Sequence, residues 1–241
     1  MAPRPRRHPA RFVLLFGLPL VLAAFAADLR FGTTRYRLAG TDYAVPHAYE
    51  FSRNVHLPWL DAVPGLGREP EESLWLILPA AEVAEGLAGY SRLSHGHAGP
   101  FAADLVVHVV GDPDRRYFAP LYARQWGNFD ARLAEGAPWR PDPSGGERLV
   151  HSEGIDHRRF YRFPSRHASR PADQTPPSCL ASDDRDKREV STCTYLVHRG
   201  GPTYDFSLRP ENLAVADRVP AYVLARLAAW KRPAPARERV P

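Results

Sequence analysis

Two histidines separated by one glycine are the first residues whose spacing could support chemistry. His95 and His97 flank Gly96, so on a strand both imidazoles would point to one face and could ligate a metal ion. A metal site needs further ligands, and none stands at a diagnostic spacing such as that of H-E-x-x-H. The glycines and Pro100 around the pair are typical of a loop, so we interpret the segment as an exposed loop.

A second group, His151, Asp156 and His157, lies within one predicted hairpin. A histidine beside a carboxylate can act as a general base, but hairpin turns also collect such residues for solvation alone. The chain contains neither a G-x-S-x-G nucleophile elbow nor a glycine-rich phosphate-binding motif. We therefore predict no catalytic residue, no metal ligand and no cofactor. A periplasmic enzyme or a metal-binding or ligand-binding domain that uses these histidines is the alternative.

Cys179 and Cys193 are the only two cysteines, and they flank a charged segment at residues 183–189. We expect this segment to be a loop between adjacent antiparallel strands. In an oxidising compartment the arrangement favours a structural disulfide. Closing a loop of about 15 residues would stabilise the fold by roughly 3 kcal/mol. The alternative is a reactive thiol, for which the chain has no C-x-x-C motif.

An uncharged run from Phe12 to Ala27 indicates the compartment. It follows four arginines within residues 1–11, and a basic segment before an apolar run is typical of an export signal. As a helix it would span about 24 Å, less than the ~30 Å hydrocarbon core. Ala24, Phe25 and Ala26 fit a cleavage site, so a retained anchor and a signal cleaved after Ala26 both stay open. In both cases residues 1–11 stay cytoplasmic and the remainder reaches the bacterial periplasm. With the run retained, the protein is a single-pass protein of the inner membrane.

The charge distribution argues against a nucleic-acid partner. The formal net charge is +5, but residues 1–11 contribute +4 and residues 231–241 contribute +3, which leaves −2 for residues 12–230. A nucleic-acid-binding domain should carry its basic excess on the folded part. We therefore predict no nucleic acid among the partners.

The apolar pattern predicts an α+β fold. We expect one domain at residues 35–231, after a linker at 28–34 and before a disordered tail at 232–241. Its antiparallel sheet of short strands is predicted at residues 36–38, 43–45, 73–78, 104–110, 148–152, 158–163, 178–180, 190–198 and 203–208. An N-terminal hydrophobic helix precedes the domain, and a C-terminal amphipathic helix packs on the sheet.

Three details complete this prediction. The run at 73–78 is continuously apolar, which indicates a buried strand, and His108 lies mid-strand with an expected hydrogen-bond partner. Short helices are predicted at 80–90 and at 115–125, the second interrupted by Pro120, with loops at 47–72 and 137–146. The C-terminal helix spans about Asp217 to Lys231, capped by Asp217, with Val219, Val223, Leu227 and Trp230 in one apolar stripe.

Two parts of the exported chain resemble a known group of proteins. The first is the predicted hairpin from Tyr36 to Pro46, and the second is the C-terminal part, from Cys193 through Asn212 to the helix that ends at Trp230. They resemble small envelope proteins often encoded beside type VI secretion effectors. Several of these proteins are taken to be immunity factors that bind and neutralise a toxin delivered to the periplasm. The resemblance implies a membrane-anchored protein-binding domain. It implies no functional residue, because those proteins share no catalytic motif.

These observations together predict a non-enzymatic periplasmic domain that binds a protein partner, such as a toxin. An accessory subunit of an envelope complex is a further interpretation. Large aromatic and arginine side chains would be natural contact residues if they are exposed, and would otherwise pack in the core. The candidates are Trp59, Trp126, Trp139, Arg158 and Arg159.

Overall fold

The computed structural model describes residue 26 and residues 32–51, 71–96, 99–136, 139–141, 147–149, 158–162, 170–180 and 192–232. The predicted anchor at residues 12–27 lies outside this range except for Ala26, and so does the tail from residue 233 onward. None of the helices in the described part of the chain is both long enough and apolar enough to cross a membrane.

Most of the described chain forms antiparallel strands. The strands are β1 (Thr33–Leu38), β2 (Thr41–Pro46), β3 (Ser73–Leu78), β4 (Leu93–Gly96), β5 (Gly99–Ala102), β6 (Leu105–Gly111), β7 (Trp139–Pro141), β8 (Glu147–Leu149), β9 (Arg158–Arg162), β10 (Ser178–Leu180), β11 (Thr192–His198) and β12 (Pro202–Leu208). Eight of them form one sheet in the order β3-β6-β12-β11-β10-β9-β8-β7, while β1 pairs with β2 and β4 with β5.

Three α-helices and two 3₁₀ segments accompany the described strands. They are α1 (Ala80–Gly86), α2 (Phe118–Ala134) and α3 (Val219–Ala229), with 3₁₀ segments at His47–Tyr49 and Pro210–Arg218. The α+β fold predicted from the sequence is confirmed, including the antiparallel sheet and the C-terminal helix packed near it.

The hydrophobic core lies on one face of the large sheet, which we call the inner face. Alternate residues of β3, β6, β12 and β11 point into it, because successive side chains of a strand point to opposite faces. The β1–β2 hairpin, α1, the second 3₁₀ segment and α3 cover this face. The largest fully buried side chains here include Leu38, Leu76, Tyr195, Tyr204 and Phe206.

The C-terminal helix confirms one part of its prediction and corrects another. Val219, Val223 and Leu227 are fully buried, as the apolar stripe predicted. The helix begins at Val219 rather than at Asp217, which lies in the preceding 3₁₀ segment. Arg218 is the residue before the first turn, and it makes no side-chain capping hydrogen bond. The predicted Asp217 cap is therefore wrong.

Two other predicted elements have different bounds. Helix α2 spans 17 residues and continues to Ala134, well beyond the predicted end at residue 125. Pro120 lies in its first turn, where the missing N–H would have no partner within the helix, so the proline does not interrupt it. The predicted loop at 137–146 contains β7, which pairs with β8.

Strand β3 has the predicted bounds, Ser73–Leu78, but it is buried on one face only. Leu74, Leu76 and Leu78 point into the core, but Trp75 is 45% exposed on the opposite, outer face. A continuously apolar run hides this alternation, because both sides of the strand carry apolar residues.

Candidate functional site

Four rings stand side by side across the outer face of the sheet: Phe51, Trp75, His108 and Tyr117. We call them the aromatic row. Trp75 of β3 and His108 of β6 are directly opposite in the strand register. Their rings stack with centroids 4.2 Å apart and planes 6° from parallel. Tyr117, just before α2, contacts His108 edge-on at 5.8 Å.

Phe51 completes the row on the other side of β3. Its N–H donates a hydrogen bond of 3.1 Å to the Trp75 carbonyl oxygen, and the two ring centroids are 6.1 Å apart. His108 therefore covers one side of Trp75, and Phe51 lies on the opposite side.

The row belongs to an apolar surface that the fold leaves accessible. Phe51 is 59% exposed and Trp75 is 45% exposed. Ile77, Val106 and Val110 point to the same outer face and are half-buried. These residues and the aromatic row together form the outer patch, which runs along β3 and β6.

Helix α2 covers the other half of the outer face, which explains where the outer patch ends. Phe118 is fully buried, and its ring lies 5.5 Å from that of His198 on β11. Further along the helix, the Trp126 Nε1–H donates to the Gln174 carbonyl oxygen at 3.1 Å. Leu196, the β11 residue that shares this face, is only 4% exposed beneath the helix. The helix thus packs over β11 and the segment before β10.

Asp205 lies next to the aromatic row, on β12, directly opposite His108 in the register of β6 and β12. Its Oδ2 accepts a hydrogen bond of 3.3 Å from the Tyr117 hydroxyl. Burial raises the pKa of the Asp205 carboxyl above its ordinary value, and the hydrogen bond from Tyr117 only partly offsets this. Burial, together with the Asp205 charge, raises the pKa of Tyr117 to about 12.

His108 is a neutral ring in this environment at neutral pH. Burial lowers the pKa of its imidazole, because the charged form is less well solvated there. Within the described residues its side chain makes ring contacts with Trp75 and Tyr117. No hydrogen-bond partner of the ring is found among those residues, so the expected partner stays a prediction.

Asp112 positions the end of the row that Tyr117 forms. This side chain is 4% exposed and accepts the backbone N–H groups of Tyr117 at 3.0 Å and Phe118 at 2.9 Å. It also accepts the Thr203 hydroxyl at 2.9 Å, which ties the start of α2 to β12. Burial alone would raise the pKa of Asp112, but these hydrogen bonds hold it below its ordinary value.

A histidine extends the same network without forming a nucleophilic site. The Nδ1 atom of His198 lies 3.0 Å from the Thr203 hydroxyl, so the order Asp112, Thr203, His198 resembles that of a catalytic triad. However, Thr203 is fully buried and its hydroxyl donates to the carboxylate. A substrate cannot reach that oxygen, and the network has a structural role.

Four of the five candidate site residues from the sequence lie outside the described residues: His97, His151, Asp156 and His157. His95 lies in β4 opposite Pro100 of β5, so the predicted loop around it is a hairpin. Within the described part of the chain, no group of three or more His, Cys, Asp or Glu could hold a metal ion.

The contact residues expected from the sequence are not those that the structure exposes. Trp126 is 5% exposed and packs under the Arg170 guanidinium, so it belongs to the interior. Trp59 lies outside the described residues, and for Trp139, Arg158 and Arg159 the structure describes only the strand backbone. Sequence reasoning missed Phe51 and Trp75. The available signal was period-two alternation within β3, which uniform apolarity concealed.

The two cysteines occupy adjacent strands. Cys179 of β10 lies directly opposite Cys193 of β11 in the register. Cys193 is fully buried and disulfide-bonded.

Comparisons with known proteins find structural similarity at low sequence identity. No family model and no curated protein sequence matches the chain. Among solved structures, the chain is similar to the iron-regulated outer membrane lipoprotein FrpD of Neisseria meningitidis, with 9% identity, a TM-score of 0.40, and coverage of 81% of this chain and 92% of that one. It is also similar to an immunity protein of the Stenotrophomonas maltophilia type IV secretion system, with 11% identity, a TM-score of 0.42, and coverage of 83% and 94%. These values do not assign a function.

Proposed function

We propose that the chain is a protein-binding domain of the bacterial envelope and that the outer patch is its contact surface. The observation that carries the proposal is the exposure of Trp75 and Phe51 on an otherwise well-packed sheet. Exposed clusters of large apolar side chains mark interaction sites on soluble proteins. Tryptophan is also among the residues that contribute most to binding at protein interfaces.

The apolar composition of the outer patch favours a protein partner. His108 stacks on one side of the Trp75 ring, and Phe51, whose ring is tilted by 46° to that of Trp75, lies on the other side. Together with Ile77 and Val106, these rings form a continuous apolar strip. Such a strip fits the apolar centre of a protein interface.

An immunity role is the specific form of this proposal. The sequence resemblance to envelope proteins encoded beside type VI effectors supports a toxin delivered to the periplasm as the partner. An anchor formed by residues 12–27 would hold the domain in that compartment. Neutralisation needs tight binding and no catalysis, which is consistent with a stable scaffold that exposes one apolar surface.

A protection assay tests this function. The protein encoded in the adjacent reading frame is expressed in the periplasm of a test strain, with or without this chain. We expect growth inhibition that the native chain relieves and that Trp75→Ala relieves at least tenfold less well. Leu224→Ala is the matched control, because Leu224 is 43% exposed but lies on α3 away from the outer patch. A neighbouring protein that is harmless, or full protection by Trp75→Ala, would overturn the proposal.

A further inference from the structure

Asp205 is surrounded by neutral groups. Its neighbours in the strand register are His108 on β6 and Leu196 on β11. His108 is neutral at neutral pH because burial lowers its pKa, and the Tyr117 hydroxyl that donates to Asp205 also carries no charge there. Within the described residues, Tyr117 is the only side-chain partner of this carboxylate.

Three other carboxylates in the described chain have an arginine at ion-pair distance. Asp42 lies 2.7 Å from Arg37, Asp130 lies 2.6 Å from Arg170, and Glu82 lies 2.6 Å from Arg226, in each case measured between the closest N and O atoms. The whole chain contains 32 lysines and arginines, so cations are not scarce. Asp205 is half-buried and yet has no cationic partner in the part of the chain that the structure describes.

A positive charge acts on Tyr117, the hydrogen-bond partner of Asp205. The positive charge of Arg124, two turns further along α2, acts to lower the pKa of Tyr117 against the larger effect of burial. Burial raises the pKa of Asp205, and the hydrogen bond from Tyr117 lowers it by less. A carboxylate whose desolvation is not compensated within the molecule is suited to a cation supplied from outside.

We infer that the partner places an arginine or lysine side chain on Asp205, with the apolar stem of that side chain against the aromatic row. This inference rests on the proposed function and specifies the partner chemistry: a basic residue beside apolar residues. Arginine and lysine carry a long aliphatic stem, which can lie on apolar surface while the charged end reaches a carboxylate. Hydrogen bonds to such a charge are shorter and stronger than neutral ones.

A peptide selection on the full chain, kept in mild detergent, tests the inference. Random twelve-residue peptides are selected on the native protein and counter-selected on Trp75→Ala, with Phe51→Ala as a second variant of the outer patch. We expect recovered peptides that share a basic residue. Replacing that residue by its neutral counterpart, citrulline for arginine or acetyl-lysine for lysine, should weaken binding to the native protein at least tenfold.

The decisive comparison repeats those titrations on Asp205→Asn. We expect Asp205→Asn to bind the basic peptide at least tenfold more weakly than the native protein does, and to bind the basic and neutral peptides within about twofold of each other. Asp114→Asn is the control, because Asp114 is a 69% exposed acid that pairs with Arg116 outside the outer patch. It should bind like the native protein. Thermal unfolding of each variant checks that it is folded.

The possible failures of this experiment separate the two proposals. Peptides that depend on Trp75 but lack a basic residue, or that bind Asp205→Asn as tightly as the native protein, would overturn the inference and leave the proposed function standing. Recovery of no peptide that depends on Trp75 or Phe51 would contradict both. Self-association of the native chain that Trp75→Ala abolishes would assign the outer patch to a second copy and would also overturn the inference.

Discussion

Asp112 shows how one buried side chain determines the geometry of the candidate surface. Its two oxygens accept the N–H groups of Tyr117 and Phe118, at the start of α2, and the hydroxyl of Thr203. Because Tyr117 is held at this point, its ring lies edge-on to His108 and its hydroxyl reaches Asp205. The end of the aromatic row therefore depends on a residue that does not belong to the outer patch.

Replacing Asp112 by alanine should destabilise the protein by about 2–3 kcal/mol, because buried donors at the start of a helix lose their acceptor. The pKa of Asp112 is lowered in the folded state, so its contribution is present above the ordinary carboxyl pKa of about 4 and is lost as the pH falls through the folded-state value. Urea unfolding of the native protein and the variant at pH 7 and at pH 3 measures both effects.

The exposed carboxylate of Asp114 provides the control for the Asp112→Ala prediction. Asp114→Asn removes an acid that is 69% exposed, and we expect it to change the free energy of unfolding by less than about 0.5 kcal/mol. An Asp112→Ala variant as stable as the native protein at pH 7, or a difference that grows on acidification, would contradict the role assigned to Asp112.

The roles of individual polar residues were only partly predictable, because several of their hydrogen-bond partners are distant in the sequence. The role of Asp112 depends on Thr203, which lies 91 positions further on. Asp205 likewise meets Tyr117 across 88 positions. Local patterns identify the residue types that can do chemistry, whereas these contacts follow from the strand order.

At the scale of the elements, local periodicity predicted α3 well and β3 incompletely. The apolar stripe of α3 repeats at helical spacing within eleven residues, so its buried side is visible in the sequence. The two sides of β3 are both apolar, and their difference arises because α2 packs over β11 instead of β3. Which half of the outer face stays open could therefore not be predicted before the sheet order was known.

Two leucines of α3 test the assigned orientation of that helix. Leu227 is fully buried and Leu224 is 43% exposed. Leu227→Ala should lower the free energy of unfolding by about 2–5 kcal/mol, because it leaves a cavity in the core. Leu224→Ala should change it by less than about 0.5 kcal/mol. Chemical denaturation measures both, and equal losses would contradict the packing of α3 on the sheet.

At the scale of the whole molecule, the described part of the fold has two different sides. The inner face is covered by a hairpin, α1 and α3, and these elements close the core. The outer face is covered by α2 over β11 and remains accessible over β3 and β6. The fold class followed from the spacing of short apolar runs, and the accessible surface followed from how the helices are distributed over the sheet.

Site-specific photocrosslinking in cells tests the central claim most directly, namely that the outer patch contacts a protein partner. The photoreactive benzoylphenylalanine replaces Phe51 in one variant and Leu224 in the other, since both positions are exposed and lie on different surfaces. The account predicts a discrete crosslinked protein from position 51, lost when Trp75→Ala is added, and none from position 224. Absence of a crosslink at position 51, or the same product from both positions, would contradict it.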